Sequence, residues 1–510
     1  MLTEIEFPEI FIGLVSPIGV DTQDVIAAIT KFFSAERYDV HNIKVTEAFR
    51  RFTDSIAPRK PLLSEPFYER IDSHIDYGNF IRHRFSDDSI LASAAISLIF
   101  RQRWKSEVSK RKTNEPPSFE RRVYIVSQFK RKEEVDLMRQ VYGGLFFQIS
   151  VYSRKETRIK YLQSRIEAEK RQGDTSSSED QARFLVSRDE DEAREPSGQR
   201  VSSVFHDADF IVNVEAQNQT IDDQIGRFVE LLFGSNTISP TKSEYGMYSA
   251  KVAALRTLDL SRQVGAAIFS QTGEVISLGA NEVPKAGGGT YWSDGDGVDA
   301  REYVLKKDSN DEKKRLVVRE LYALAVGDSF TEAGFQAFLR REDVKNARAM
   351  DAIEYGRIVH AEMNAVTDAA RLGNSLQDAV LYCTTFPCHL CAKHIVAAGV
   401  KKVVYLEPYP KSLAQELHPD SISVDGSDRG RFSKYPVVEF EHFYGVTPRR
   451  YREFFERQKR KSDGKLQDYA RGKKRPVVQI IQPSYRNSED LCIRTGFKRL
   501  SEISVPPPEA

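Results

Sequence analysis

Cysteine is scarce in this 510-residue chain: there are four, Cys383, Cys388, Cys391 and Cys492. So small a set excludes a disulfide framework. Three of the four fall between positions 383 and 391, which suits a metal site in a reducing compartment. Excess charge is also missing. Lys and Arg number 75 against 74 Asp and Glu, a net charge of +1. That balance excludes a protein built to coat a polyanion, while leaving room for a local basic pocket. There is no long apolar run. The longest, Ile90–Phe100 (ILASAAISLIF), falls far short of the ~20 residues of a membrane span and predicts a buried helix. The opening MLTEIEFPEI places acids where a secretory signal would be basic. Together these absences predict a cytoplasmic protein without membrane contact. The length predicts two or three domains.

The first half alternates strand and helix signals. Ile10–Val15 (IFIGLV), Arg122–Gln128 and Leu145–Tyr152 read as short buried strands, being β-branched and aromatic. Asp21–Phe33 and Glu133–Tyr142 read as helices, and Asp207–Val214 as a further strand before a helix near Ile221–Phe233. Such alternation predicts an α/β domain with a parallel sheet over residues 1–236. The charged run beginning at Arg154 predicts a surface helix. Gly173–Gln199 is polar and nearly free of large apolar residues, which predicts a mobile insertion. A linker at Gly234–Lys242 closes this unit.

The second unit is expected over 243–460, with a C-terminal extension over 461–510. Tyr245–Leu258 reads as a helix, and Gln263–Ser270 with Glu274–Leu278 as a hairpin. His360–Arg371 and Cys388–Ala398 read as helices, and Val380–Thr384 and Lys402–Leu406 as strands. The chemistry lies in His360-Ala361-Glu362 and Pro387-Cys388-His389-Leu390-Cys391, the H-x-E and P-C-x-x-C pattern of zinc deaminases. Cys388 and Cys391 are three apart, on one face of the first turn of a helix. Pro387 needs no amide hydrogen at a helix start, and a helix start favours the thiolate. His360 opens another helix, so two helix starts can converge on one Zn2+. Three protein ligands leave one position for water, the mark of a catalytic zinc. Glu362 is two residues from a ligand and is not needed as one. Its carboxylate is free to move protons between the attacking water and the leaving amine. His389 and His394 read as surface or supporting residues, and Cys383 and Cys492 as ordinary thiols.

At these residues the chain resembles the deoxycytidylate deaminases of the cytidine deaminase superfamily, over about Tyr245–Tyr451. Beyond the zinc motif, Ser261-Arg262-Gln263-Val264-Gly265-Ala266, Gly279-Ala280-Asn281-Glu282-Val283-Pro284 and Leu381-Tyr382-Cys383-Thr384-Thr385-Phe386 are similar to family segments. The resemblance implies an α/β/α sandwich around a mixed sheet of about five strands. It implies a deoxycytidine nucleotide substrate, with Asn281 on the deoxyribose, Arg262 on phosphate and Ala361 among the substrate contacts. It also implies a homo-oligomer, commonly a hexamer. The segment Lys285–Tyr355 departs from the family. It is expected to begin as an open loop, with Asp294-Gly295-Asp296-Gly297, to end in helices, and to cap the pocket or form a subunit interface.

In the first half, Gly13 to Thr22 follow a strand and open a helix, where a phosphate-cradling loop would stand. Five residues separate Gly13 from Gly19, and Val20-Asp21 occupy the place of Lys-Ser/Thr. Gly13, Ser16, Gly19, Asp21 and Thr22 are the candidate nucleotide-binding residues. With Val123–Ser127, Val151–Arg154, Arg158 and Asp207–Val212, this half resembles a P-loop deoxynucleotide kinase without its lysine. The fusion as a whole resembles the bacterial antiphage deoxycytidine nucleotide deaminases. That implies depletion of dCTP and dCMP, with a nucleotide or an inhibitory RNA regulating through the first half. The alternatives are a nucleic-acid cytosine or adenosine editing deaminase, and a binding protein with a structural zinc.

Overall fold

The computed structural model describes residues 5–110, 119–170, 175–192, 195–295, 297–457, 459–469 and 472–504. Its chain divides into two compact units: Met1–Pro240 together with Tyr444–Ala510, and Thr241–Phe443. Twelve strands build the two main sheets. They are β1 (Ile10–Val15), β2 (Asp39–Lys44), β3 (Arg122–Ser127), β4 (Phe146–Tyr152), β5 (Phe210–Asn213), β6 (Gly265–Phe269), β7 (Val275–Ala280), β8 (Val380–Thr385), β9 (Lys402–Glu407), β10 (Ile422–Val424), β11 (Val438–His442) and β12 (Gly445–Val446).

The first unit carries the sheet β12-β5-β4-β1-β3-β2, parallel except for β12. Strands β1 and β3 are buried at every position, as a sheet covered on both faces requires. Helices Gln23–Ala35 and Ile221–Leu232 pack on one face through Val25, Ile29 and Phe33, and through Ile225, Phe228 and Leu232. The run Ile90–Phe100 lies inside helix Ile90–Lys110 with Ile90, Leu91, Ile96 and Ile99 buried, as expected. No helix among the described residues is long and apolar enough to cross a membrane.

Two expectations change here. Within Gly173–Gln199, residues 175–192 and 195–199 are ordered, and Ser178–Asp191 is a helix capped by Ser177. Ala182, Leu185 and Val186 recur at helical spacing, so this acid-rich stretch still has one apolar stripe. The stripe packs on Ile159, Leu162 and Ile166 of helix Lys155–Ala168, a surface helix as expected, with one buried stripe and its remaining positions exposed. Residues 173–174 and 193–194 of that expectation lie outside the described ones.

The second change concerns the domain boundary. Residues from 444 onward belong to the first unit, so the second ends at Phe443 rather than 460. The 461–510 segment is likewise part of that unit, apart from residues 470–471 and 505–510, which lie outside the described ones. Strand β12 pairs antiparallel with β5 and covers its edge. Thr447 Oγ1 donates to Ala208 O at 2.6 Å, and Arg450 Nε to the buried Asp209 Oδ1 at 3.0 Å. Helix Tyr485–Ser504 brings Glu489 to Arg103 at 2.7 Å, and Arg103 also meets Glu9 at 2.8 Å. All three are essentially buried. Tyr485 donates to Glu9 at 2.7 Å and Tyr142 to Glu489 at 3.0 Å, so the charges are also hydrogen-bonded. Removing one partner of such a group leaves an uncompensated charge. Glu489→Ala is expected to destabilise the first unit by about 3–5 kcal/mol in denaturant unfolding. A loss well under 1 kcal/mol would contradict this packing.

The second unit carries the sheet β10-β11-β9-β8-β6-β7, six strands where about five were expected. Pairs β6–β7 and β6–β8 are antiparallel and the rest parallel. Two glycines admit helices at backbone contact. A β carbon at Gly265 would stand 2.0 Å from Ala250 O, and one at Gly279 2.0 Å from Ala361 O. Gly279 pairs with Ala266, the neighbour of Gly265, so the two glycines point to opposite faces. Helices Lys242–Ala254 and Ala361–Arg371 thus cover opposite sides of the sheet, as an α/β/α sandwich demands.

Candidate active site and metal centre

The side chains that could hold a metal sit at two helix starts of the second unit. His360 is the N-cap of helix Ala361–Arg371, and Cys388 the N-cap of helix His389–Ala397. Cys391 lies in the first turn of the latter. His360 Nδ1 stands 3.2 Å from Cys388 Sγ and 3.6 Å from Cys391 Sγ. One ligand atom from each of the three falls within 4.8 Å of the others, the only such His/Cys/Asp/Glu group among the described residues. Zn–N and Zn–S bonds of about 2.0–2.3 Å in a tetrahedron separate ligand atoms by roughly 3.5 Å, so the donor set fits the ion. Cys388 is held far below the ordinary thiol range by the hydrogen bond from Cys391 and by His360, which supplies a thiolate. The thiol of Cys383 lies in β8, fully buried, outside the group.

Glu362 is 4 % exposed and is not part of the ligand group. Burial pushes its carboxyl up to about 7, with the Cys388 charge adding to the rise. A carboxyl near neutrality is suited both to accept and to return a proton.

Asn281 links the other strand end to the metal helix. His360 provides no side-chain cap, and the open Ala361 N–H donates instead to Asn281 Oδ1 at 2.9 Å. Asn364 Oδ1 accepts from Ala280 N–H at 3.1 Å in return. The Asn281 amide donates to Asp259 Oδ2 at 3.1 Å, and burial raises the Asp259 carboxyl above its usual range. The Ala361 amide is therefore engaged within the protein, and its methyl group is buried in the core. Arg262 is half-exposed, 3.8 Å from Glu407, with its guanidinium 5.6 Å from the Tyr409 ring centre.

His360, Glu362, Cys388, Asn281 and Arg262 line one cleft of about 510 Å3. Thr385, Phe386 and Tyr409 complete the inner part. The other wall is the segment that departs from the family. Asp308, Asn310, Asp311, Lys314, Asp351 and Ile353 all face the cleft. The segment begins as a loop through 285–300 and ends in helices that include Ser309–Val326 and Glu332–Arg340, as expected. Asp296 lies outside the described residues. The segment is pinned to the rim: Ser261 Oγ donates to Asp308 at 3.2 Å, and Lys411 meets Asp351 at 2.6 Å. Motif reading found none of these wall residues, because nothing in the local sequence ties a helix of the insertion to the metal.

In the first unit, Ser16, Gly19 and Thr22 line a cavity of about 330 Å3 together with Lys130 and Arg70. Gly13 does not. It lies inside β1, where a β carbon would meet the Phe146 ring at 2.5 Å. Asp21 accepts from Gln23 N–H at 2.9 Å, an ordinary helix-start role. Gly19 takes φ +87° and its backbone abuts Arg158. An amide of the loop is already occupied: Ile18 N–H donates to the buried Asp189 at 2.7 Å, and Lys130 neutralises the same carboxylate at 2.7 Å.

Residues 240–407 match the family model for the cytidine and deoxycytidylate deaminase zinc-binding region. The ion of that region is zinc, and His360, Cys388 and Cys391 are the donors that fit it. The deoxycytidylate deaminase of Enterobacteria phage T2 is 50% identical over 54 residues, 11% of this chain and 29% of that protein. A probable deoxycytidylate deaminase of Drosophila melanogaster is 25% identical over 204 residues, 39% of this chain and 78% of that protein. The dCMP deaminase of cyanophage S-TIM5, solved in complex with dCMP and dUMP, shares 20% identity. It aligns over 41% of this chain and 100% of that one, at a TM-score of 0.23. The chain spans about a third or less of the length of the first curated relatives it matches.

Proposed function

We propose that the Thr241–Phe443 unit is a zinc-dependent hydrolytic deaminase of deoxycytidine nucleotides, converting dCMP or dCTP to dUMP or dUTP and ammonia. The observation that carries this reading is a buried, non-ligating Glu362 beside the His360, Cys388 and Cys391 group, lining the same cleft. When bound, zinc supplies an activated water and charge stabilisation. The residues of the chain do the rest. Glu362 takes a proton from the attacking water, gives one to the ring nitrogen and assists departure of ammonia from C4. Phe386 and Thr385 bound the space for the base. Asn281 holds the start of the metal helix, and because its amide is engaged with Asp259 and with Arg262 O, its contact to the deoxyribose falls to Oδ1, while Arg262 reaches the phosphate at the rim.

The cleft is lined by six carboxylates, Asp259, Glu302, Asp308, Asp311, Asp351 and Glu362, against the cations Arg262, Lys314 and Lys411. A strand of nucleic acid needs a basic, aromatic groove along its backbone. This lining supports a free nucleotide over an edited strand. The test is ammonia release from dCMP, dCTP, deoxycytidine and a cytosine-containing oligonucleotide. Turnover of the oligonucleotide alone would overturn the reading. Asn281→Ala removes a contact and leaves a buried Ala361 N–H unpaired. It is expected to lower kcat/KM roughly 10- to 100-fold and to destabilise the unit by about 1–3 kcal/mol, read by kinetics and thermal melting.

The same reading extends to depletion of the dC nucleotide pool in antiphage defence, by a homo-oligomer controlled through the first unit. A phosphate-bearing nucleotide or an inhibitory RNA is the expected regulator. Support comes from the cavity at Ser16, Gly19 and Thr22 and from the fusion order. Substitution at Ser16 and Thr22 that leaves activity, assembly and infection response unchanged would remove that extension.

A further inference from the structure

We propose that Lys314, in the insertion, is a specificity-determining residue that binds the substrate's phosphate. The proposal rests on reading the cleft as a deoxycytidine nucleotide site, and it names which of three cations does most of the discriminating.

The three differ in exposure. Arg262 and Lys411 have side chains 55% and 57% exposed, and each already faces a carboxylate, Glu407 at 3.8 Å and Asp351 at 2.6 Å. Water screens both, so exchanging a carboxylate for a phosphate there gains little. The Lys314 side chain is only 12% exposed. A covered ammonium keeps its charge only beside an anion. Its partner is Asp311 at 2.8 Å, three residues earlier on the same helix, and that carboxylate is 52% exposed. When a phosphate takes its place, Asp311 returns to water at small loss, while Lys314 exchanges a monoanion for a more highly charged one in a covered setting. The gain is therefore concentrated at Lys314.

The helix presents the lysine rigidly. Asn310, Asp311 and Lys314 all line the cleft and stand at i, i+1 and i+4, on one face of helix Ser309–Val326. Asn310 fixes that face: its amide donates to Ala352 O at 2.8 Å, and its oxygen accepts from Tyr355 N–H at 3.2 Å. Asp308 caps the helix by accepting from Asp311 N–H at 2.8 Å, and it also accepts from Ser261. The base and the sugar of the substrate carry no charge for an ammonium to read. In a cleft where carboxylates outnumber cations two to one, general attraction cannot retain an anion, and a specific contact must.

The test is steady-state deamination by the zinc-loaded full chain with dCMP, dCTP and deoxycytidine. The variants are Lys314→Ala, Lys314→Met and Lys314→Arg, with zinc content measured alongside. Loss of a charge-assisted contact is expected to raise KM for the nucleotides roughly 10- to 100-fold in the alanine and methionine variants, with kcat little changed. The loss for deoxycytidine is expected to be far smaller, and Lys314→Arg to recover most of the nucleotide KM. Lys314→Met keeps the aliphatic stem, so a general packing effect at Lys314→Ala is separated from loss of charge. Equal losses on deoxycytidine and on the nucleotides, or an unchanged nucleotide KM, would overturn the proposal. A wild-type chain that prefers no nucleotide to deoxycytidine would overturn the reading of the cleft itself.

Discussion

Glu362→Ala is expected to retain its zinc and to lose deamination by about 10²–10⁴-fold, the contribution of a positioned proton carrier. Glu362 stands outside the ligand group, so the metal content does not depend on it. The nearest alternatives in the cleft are engaged elsewhere: Glu302, the other buried acid, accepts from Ser309 N–H at 3.0 Å, and the half-buried Asp259 accepts from the Asn281 amide. Glu362→Gln keeps the shape and removes the ionisable carboxyl that accepts and returns the proton, so it should fall with the alanine variant rather than with the wild type. Metal analysis and ammonia release on the same sample decide it. Full activity in a zinc-replete Glu362→Ala protein would exclude the proton-transfer role. Loss of zinc along with activity would make Glu362 a support of the metal instead.

Removing a ligand acts differently. His360→Ala, Cys388→Ala and Cys391→Ala each leave two donors, too few to hold the ion against exchange. Zinc content and turnover fall together, and the loss of rate exceeds that of the Glu362 variants because activation of the water goes with the metal. Chelation of the wild type should reproduce this, with recovery on adding zinc. Stability moves as well. A ligand at about a thousand times its Kd contributes about 4 kcal/mol to the state that binds it. Chelation should therefore lower the melting of the second unit and leave the first unchanged. A chelated protein that keeps its turnover would refute the assignment of all three ligands.

How far these positions could be read in advance depended on range. Contiguous signals were legible. The run IFIGLV became β1, and the H-x-E and P-C-x-x-C halves became two capped helix starts, because the chemistry and the local backbone both lie within a few residues. Asn281 was marked by its loop, yet its bond to the Ala361 amide spans 80 positions and needed the fold. Strand β2 (DVHNIK) is hidden in sequence because most of its side chains are at least partly exposed, so it lacks the apolar run of its neighbours. Helix Ser178–Asp191 was masked by its acids, several of which face water, while its few apolar residues do the packing. The insertion as a whole could be expected to cap the pocket, but which of its side chains face the cleft was not legible, for a related reason. Lys314 and Asp351 read as ordinary surface charges until the fold brings the insertion to the cleft.

The return of residues 444–510 to the first unit also orders events during synthesis. Domains emerge and fold from the N-terminus onward, but here the first unit cannot be finished first. When residue 240 leaves the ribosome, Arg103 and Glu9 are present without Glu489, and the β5 edge has no β12. The whole second unit is translated before those partners arrive. A nascent chain halted between residues 443 and 489 therefore contains a complete second unit and an unfinished first one with a half-paired buried charge. Such a fragment is expected to be open to chaperones and proteases at its older end, and a chain that extends past residue 489 is expected to resist them.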